Sequence, residues 1–179
     1  METKRPDPDE TSPQQPQLSE AEQQFLLERL RSEQNLVGGI AGGLLAALLG
    51  ASIWAVITVV TEYQIGWMAI GIGLLVGVSV RLAGKGIDQV FGVVGAVMSL
   101  VGCTVGNLLT MTYFVAANEN IPYVDLLSSM DLDLAIEIMT ITFDPMDILF
   151  YGIALYFGYR YAFRQVSAET LRQLRSGVG

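Results

Sequence analysis

Few residues in this chain are of a type and spacing that supports chemistry. Four carboxylates gather in one stretch: Asp125, Asp131, Asp133 and Glu137. Asp125, Ser129, Asp133 and Glu137 recur every four residues, so a single helix would carry them as one stripe. Oxygen ligands of this kind suit Ca²⁺ or Mg²⁺, and clustered carboxylates are also a source of general acid and base. Neither chemistry is completed by the neighbours. The stretch lacks the turn glycine and ligand spacing of an EF-hand loop, and no nucleophile or orienting partner stands beside the acids. A solvated face without positive charge is the plainer reading, and a helix that docks a partner ranks above a cation site. No catalytic residue, cofactor or metal is therefore expected, and the chain is read as a non-enzyme.

The other reactive types are scarce. The sequence has no histidine, which removes the commonest general base and zinc ligand. Its one cysteine, Cys103, lies inside an apolar run. It cannot form an intramolecular disulfide and reads as a small packing side chain. Asn107, one turn on, is expected to hydrogen-bond across helices, worth about 1 kcal/mol. A net charge of −8, with 10 scattered basic residues, argues against a nucleic-acid partner.

The elements that must position these groups read as membrane spans. Half of the chain is hydrophobic and 16% is charged. The charges collect in the first 35 residues, in short links and in the C-terminal tail. Apolar runs over about 36–60, 66–82, 88–115 and 146–163 are each long enough to cross a bilayer. The fold class expected is an all-α integral membrane protein. It has four transmembrane helices and an amphipathic outer-surface helix over about 123–141, between the third and the fourth. Asp144-Pro145 is a cap and first-turn pair for the last span.

Residues 1–17 hold four of the six prolines and almost no apolar side chain, so a disordered acidic tail is expected there. The acidic, proline-rich start also predicts an uncleaved first span in place of a removable signal peptide. Over 18–35 a cytoplasmic juxtamembrane helix is expected, opened by a capping box at Ser19 and Glu22. It can lie on the membrane surface, pack on a partner, or extend the first span. Residues 165–179 form a cytoplasmic tail.

Basic residues set the orientation. Lys4, Arg5, Arg29 and Arg31 precede the first span, Arg81 and Lys85 follow the second, and Arg160, Arg164, Arg172 and Arg175 follow the fourth. The first link and the region from Ala116 to Asp147 carry no Lys or Arg. This alternation places both termini in the cytoplasm. Arg160 and Arg164 have stems long enough to snorkel to the headgroups.

Small residues recur at four-residue spacing along three spans. Gly38, Gly42, Ala46 and Gly50 form one row, and Gly39, Gly43, Ala47 and Ala51 the next. Gly73 and Gly77 repeat the device in the second span, as do Gly95, Ser99 and Cys103, with Gly102 and Gly106, in the third. Such rows let helix backbones approach closely in lipid. They are expected to pack the spans of one chain together, with a second partner helix, from another protein or another copy, as the sharper alternative. No row of charged or carboxamide side chains lines a pore.

The segment Tyr63-Gln64-Ile65-Gly66-Trp67-Met68-Ala69-Ile70-Gly71, continuing to Gly73 and Gly77, resembles the glycine-rich hairpin of uncharacterised small bacterial four-helix inner-membrane proteins. The run Asp147 to Arg160 resembles their closing helix. The resemblance implies a bacterial inner-membrane setting and brings no catalytic residues. The function expected is that of a structural or accessory protein. It docks with other membrane proteins in the lipid bilayer through small-residue faces and the acidic outer helix. A small transporter or channel is the second reading; a membrane enzyme or an outer-surface cation-binding protein ranks below both.

Overall fold

The computed structural model describes residues 19–63, 66–142, 144–164 and 166. The expected disordered segment over 1–17 and the tail over 165–179, Val166 apart, lie outside the described residues. The described residues form helices and no strand: α1 Glu20–Ser32, α2 Leu36–Thr61, α3 Met68–Gly84, α4 Gln89–Asn118, α5 Tyr123–Ser128, α6 Leu132–Ile141 and α7 Pro145–Tyr161. Leu30–Gln165 is one compact unit. Helix α1 begins outside that unit and is described by itself. Its capping box is formed: the Ser19 backbone N–H donates to Glu22 at 2.9 Å, and the Glu22 N–H donates to the Ser19 hydroxyl at 3.3 Å.

Helix α1 does not extend the first span. The helix stops at Ser32 and a new one starts after Asn35, whose side chain accepts from the Gly38 N–H at 2.8 Å. An N-cap of this kind satisfies one of the orphan donors of a helix start. The Asn35 backbone N–H then donates to the Gly84 carbonyl at 2.8 Å. That bond ties the beginning of α2 to the end of α3. Gln34 adds a bond to Asp88 at 2.9 Å, and Arg31 pairs with the same carboxylate at 3.2 Å. We call this the proximal end of the unit.

Two helices, α2 with 26 residues and α4 with 30, are long and apolar enough to cross a membrane. Helix α3 is apolar but has 17 residues, and α6 and α7 meet the same criteria only as a pair bent by 112°. Most boundaries lie within about three residues of those expected. The exception is the segment between α4 and α7. The sequence suggests one helix over 123–141, but the structure has two, broken at Ser129–Asp131. Asp131 is the reason for the restart: its side chain accepts from the Leu134 N–H at 2.8 Å and caps α6. Helix α4 ends in a Schellman turn, with Asn120 at φ 54° and the Ile121 N–H donating to the Ala116 carbonyl at 2.9 Å. Pro122 follows and cannot continue the helix.

Close approaches fix the directions of the helices. Gly38 at the start of α2 meets Ala83 at the end of α3, so these two run antiparallel. Gly39 meets Phe91, and Gly106 meets Ala51, so α2 and α4 run parallel. Gly73 meets Ala154 and Gly77 meets Gly158, so α3 and α7 are also parallel. Gly95 meets Gly158, and Asn107 bonds Tyr151, so α4 and α7 are antiparallel. Helix α4 touches every other helix from α2 to α7. The core between the helices is built from Ala47, Trp54, Ile72, Val76, Val80, Phe91 and Cys103, all nearly or fully enclosed.

Candidate functional site

The glycines of the small-residue rows all sit at crossings within the chain. A Cβ added at Gly38 would lie 2.8 Å from the Ala83 carbonyl oxygen, and one at Gly42 2.7 Å from the Ala83 Cβ. On the adjacent row, Gly39 faces the Phe91 ring at 3.2 Å and Gly43 faces Val80 at 2.7 Å. Gly50 lies against Ile72, Gly73 against Ala154, and Gly77 against Gly158 and Tyr161. Gly95 meets the Gly158 carbonyl; Gly102 and Gly106 meet Ala47 and Ala51. Both rows of the first span are thus filled from inside, one by α3 and the other mainly by α4. The faces left outward are bulky: Leu45, Leu49 and Val56 on α2, and Ile148, Leu149 and Tyr156 on α7.

The expected stripe of Asp125, Ser129, Asp133 and Glu137 does not form on one helix, and Asp131 is drawn into a cap. Asp125 lies on α5, Asp131 is spent as the cap of α6, and Asp133 and Glu137 are exposed on α6. The break between α5 and α6 removes the continuous helix that the stripe needs. Among the described residues no group of three or more His, Cys, Asp or Glu is placed to hold a metal ion. On α5, Tyr123 meets Tyr113 edge-on at 5.9 Å, and partial burial pushes its phenol above the usual tyrosine range.

A different constellation lies between α4 and α7. Asn107, 3% exposed, donates its amide to the Tyr151 hydroxyl at 3.4 Å. Thr104 and Asp147 stand near that hydroxyl. Asp147 is buried in the first turn of α7, where its carboxylate accepts from the Asp144 N–H at 3.1 Å. Asp144 in turn accepts from the Met146 N–H at 2.8 Å. The two acids thus form a reciprocal capping box on the Pro145 helix start. Thr110 and Thr112 are buried on α4 and donate to carbonyls one turn back, whereas the Thr58 hydroxyl on α2 has no partner.

Thr104 also opens onto a cleft between α4 and α6. The cleft holds about 540 Å³ and is lined by Thr104, Leu108, Leu132, Ala135, Ile136 and Met139, with Thr140 at its side. The Thr140 hydroxyl donates to the Ile136 carbonyl at 2.7 Å, so it adds little polarity. Ile138 points the other way and is buried, holding α6 in place. Thr104 and Leu108 lie near the midpoint of α4. Helix α6 therefore runs beside the body of α4, where the sequence suggests a helix lying past its outer end. Leu132, Ile136 and Ile141 remain exposed on it.

A cleft with apolar walls suits an acyl chain or an apolar helix face. Sequence reasoning finds Asn107 and the Asp144-Pro145 start but misses Tyr151, Thr104 and the cleft. Asp147 and Tyr151 at i, i+4 carry a visible signal; the return of α6 onto α4 depends on a tertiary turn that no local pattern encodes. Compared with protein-family models, with curated proteins and with solved structures, the chain matches none of them.

Proposed function

We propose that this chain is a four-span protein of a bacterial inner membrane, with both termini cytoplasmic. In this reading it is non-catalytic and accessory, and it holds an apolar helix of a partner membrane protein in the α4/α6 cleft. The open apolar cleft beside the body of α4 carries the reading. At that position water is replaced by lipid, and a concave apolar surface gains packing from a complementary helix. The 17 residues each of α3 and α7 are at the short end of what crosses a bilayer. The Lys and Arg distribution supports the orientation. Neighbouring helices of the same chain lie against the glycine rows, so the cleft is the docking surface in this reading.

A photo-crosslinker at Ile136 in growing cells tests the docking. A discrete adduct with a membrane protein is expected there, and not at Leu49 on the opposite helix; equal adducts at both positions would sink the proposal. Orientation is tested separately in a Cys103→Ala background. Ser129→Cys should react with an impermeant maleimide in intact cells and Ser176→Cys should not.

A small transporter is the second reading, favoured by the buried Asp147 carboxylate and by the bend between α6 and α7. Ionisable groups and interrupted helices at membrane depth mark transport sites. Solute flux in proteoliposomes that Asp147→Asn abolishes would favour it over the accessory role.

A further inference from the structure

The proximal end carries a pocket that neither reading uses. It holds about 650 Å³ and is lined by Arg81, Tyr156, Phe157, Arg160, Tyr161 and Phe163. Arg81 stands in the last turn of α3 and Arg160 in the last turn of α7. These turns adjoin because α3 and α7 run parallel and Gly77 lets α3 close on Gly158 and Tyr161. The wall between them is aromatic. Phe157 and Tyr161 stack at 5.9 Å with an interplanar angle of 7°, and Tyr156 meets Phe157 edge-on at 5.5 Å.

We propose that this pocket binds the phosphate headgroup of an anionic phospholipid. Two arginines line it, Arg81 and Arg160, and the planar fork of a guanidinium matches phosphate oxygens. Stacked rings beside them suit the glycerol and the upper acyl carbons, so the pocket is polar at one part and apolar at the next. Basic pockets between membrane helices on the cytoplasmic side are where anionic headgroups are read. Lys85 and Arg164, in the segments that follow α3 and α7, add to the positive field. Arginines in a last helical turn also offset the helix dipole. That role alone needs neither a shared pocket nor aromatic walls, and it predicts no preference among lipids. The proposal rests on the four-span reading, in which the proximal end lies at the inner interface.

The test is native mass spectrometry of the delipidated full-length protein in mild detergent. Dioleoyl-phosphatidylglycerol, dioleoyl-phosphatidylcholine and inorganic phosphate are added in turn. Phosphatidylglycerol is expected to be retained at least about tenfold better than phosphatidylcholine. R81Q/R160Q should abolish that preference, whereas K85Q/R164Q, with the same charge loss outside the pocket, should keep it within about twofold. Where the double variant does not fold, R160Q alone, at an exposed position, should lower retention by about threefold. Equal retention of the two lipids overturns the proposal. So does an R160Q protein that behaves as wild type, or a K85Q/R164Q protein that loses the preference. Displacement of the lipid by millimolar phosphate overturns it in favour of a free-anion site. Retention in micelles is independent of which side this end faces. An inverted topology, read by the maleimide labelling, therefore leaves the lipid result standing.

Discussion

Gly95→Ala should destabilise the crossing of α4 and α7, while the same change at Gly71 should not. In a helix, Ala is favoured over Gly by up to about 1 kcal/mol. At Gly71 and Gly152 an added Cβ meets nothing within 4 Å, so that gain is kept. At Gly95 the Cβ would overlap the Gly158 carbonyl oxygen, lie 2.5 Å from the Ala162 Cβ and 3.1 Å from the Gly158 carbonyl carbon. The obstructing atoms belong mainly to the α7 backbone, which has no rotamer to move into. The helices must separate, and a radial gap of roughly 0.5–1 Å already forfeits a quarter to a half of each packing contact. Overpacking costs about 1–3 kcal/mol. The net expectation for Gly95→Ala is a loss of about 1–2 kcal/mol, against a gain of up to about 1 kcal/mol for Gly71→Ala. SDS titration in dodecyl-maltoside micelles measures both, followed by the emission of Trp54, which is 3% exposed. A Gly95→Ala protein as stable as Gly71→Ala would refute the glycine contact as a constraint on the crossing.

Asn35→Ala removes the α2 cap and should cost about 1 kcal/mol in the same titration, leaving the fold intact. Tyr151→Phe removes one long hydrogen bond across α4 and α7, so its cost should be about 0.6 kcal/mol, well below that of Gly95→Ala. Cys103 is fully enclosed. It should resist a membrane-permeant maleimide in the folded protein and react once SDS unfolds it, as read by intact mass.

The long apolar runs are legible because lipid-compatible length and composition are local properties. Leu36 and Thr61 bound α2 within a residue of where the hydropathy changes. Asp144-Pro145 is likewise a local signal, and it starts α7. The glycine rows point to close packing, but their partners are set by which helices meet. The acidic segment is misread for a related reason. A four-residue repeat of acids suggests one helix, yet Asp131 takes a cap position and divides it. The cleft at Thr104 and Ile136 arises from that local division together with the burial of Ile138, which is a tertiary event. The polar group at Tyr151 is hidden in the same way, since its partner Asn107 is 44 residues away.

The parallel placement of α3 and α7 has a consequence for how the chain is made. The ribosome releases α2, α3 and α4 first, and these can settle together with Gly73, Gly77 and Gly95 facing a vacant groove. Only α7 fills that groove, and its synthesis waits for the whole acidic segment. Until then the nascent protein presents bare helix backbone to lipid, held open for the duration of about thirty residues of translation. Insertion factors and membrane proteases that recognise loosely packed helices would meet this stage. In this order α7 completes the packing of the described helices, and the Asp144–Asp147 capping box around Pro145 marks where it begins.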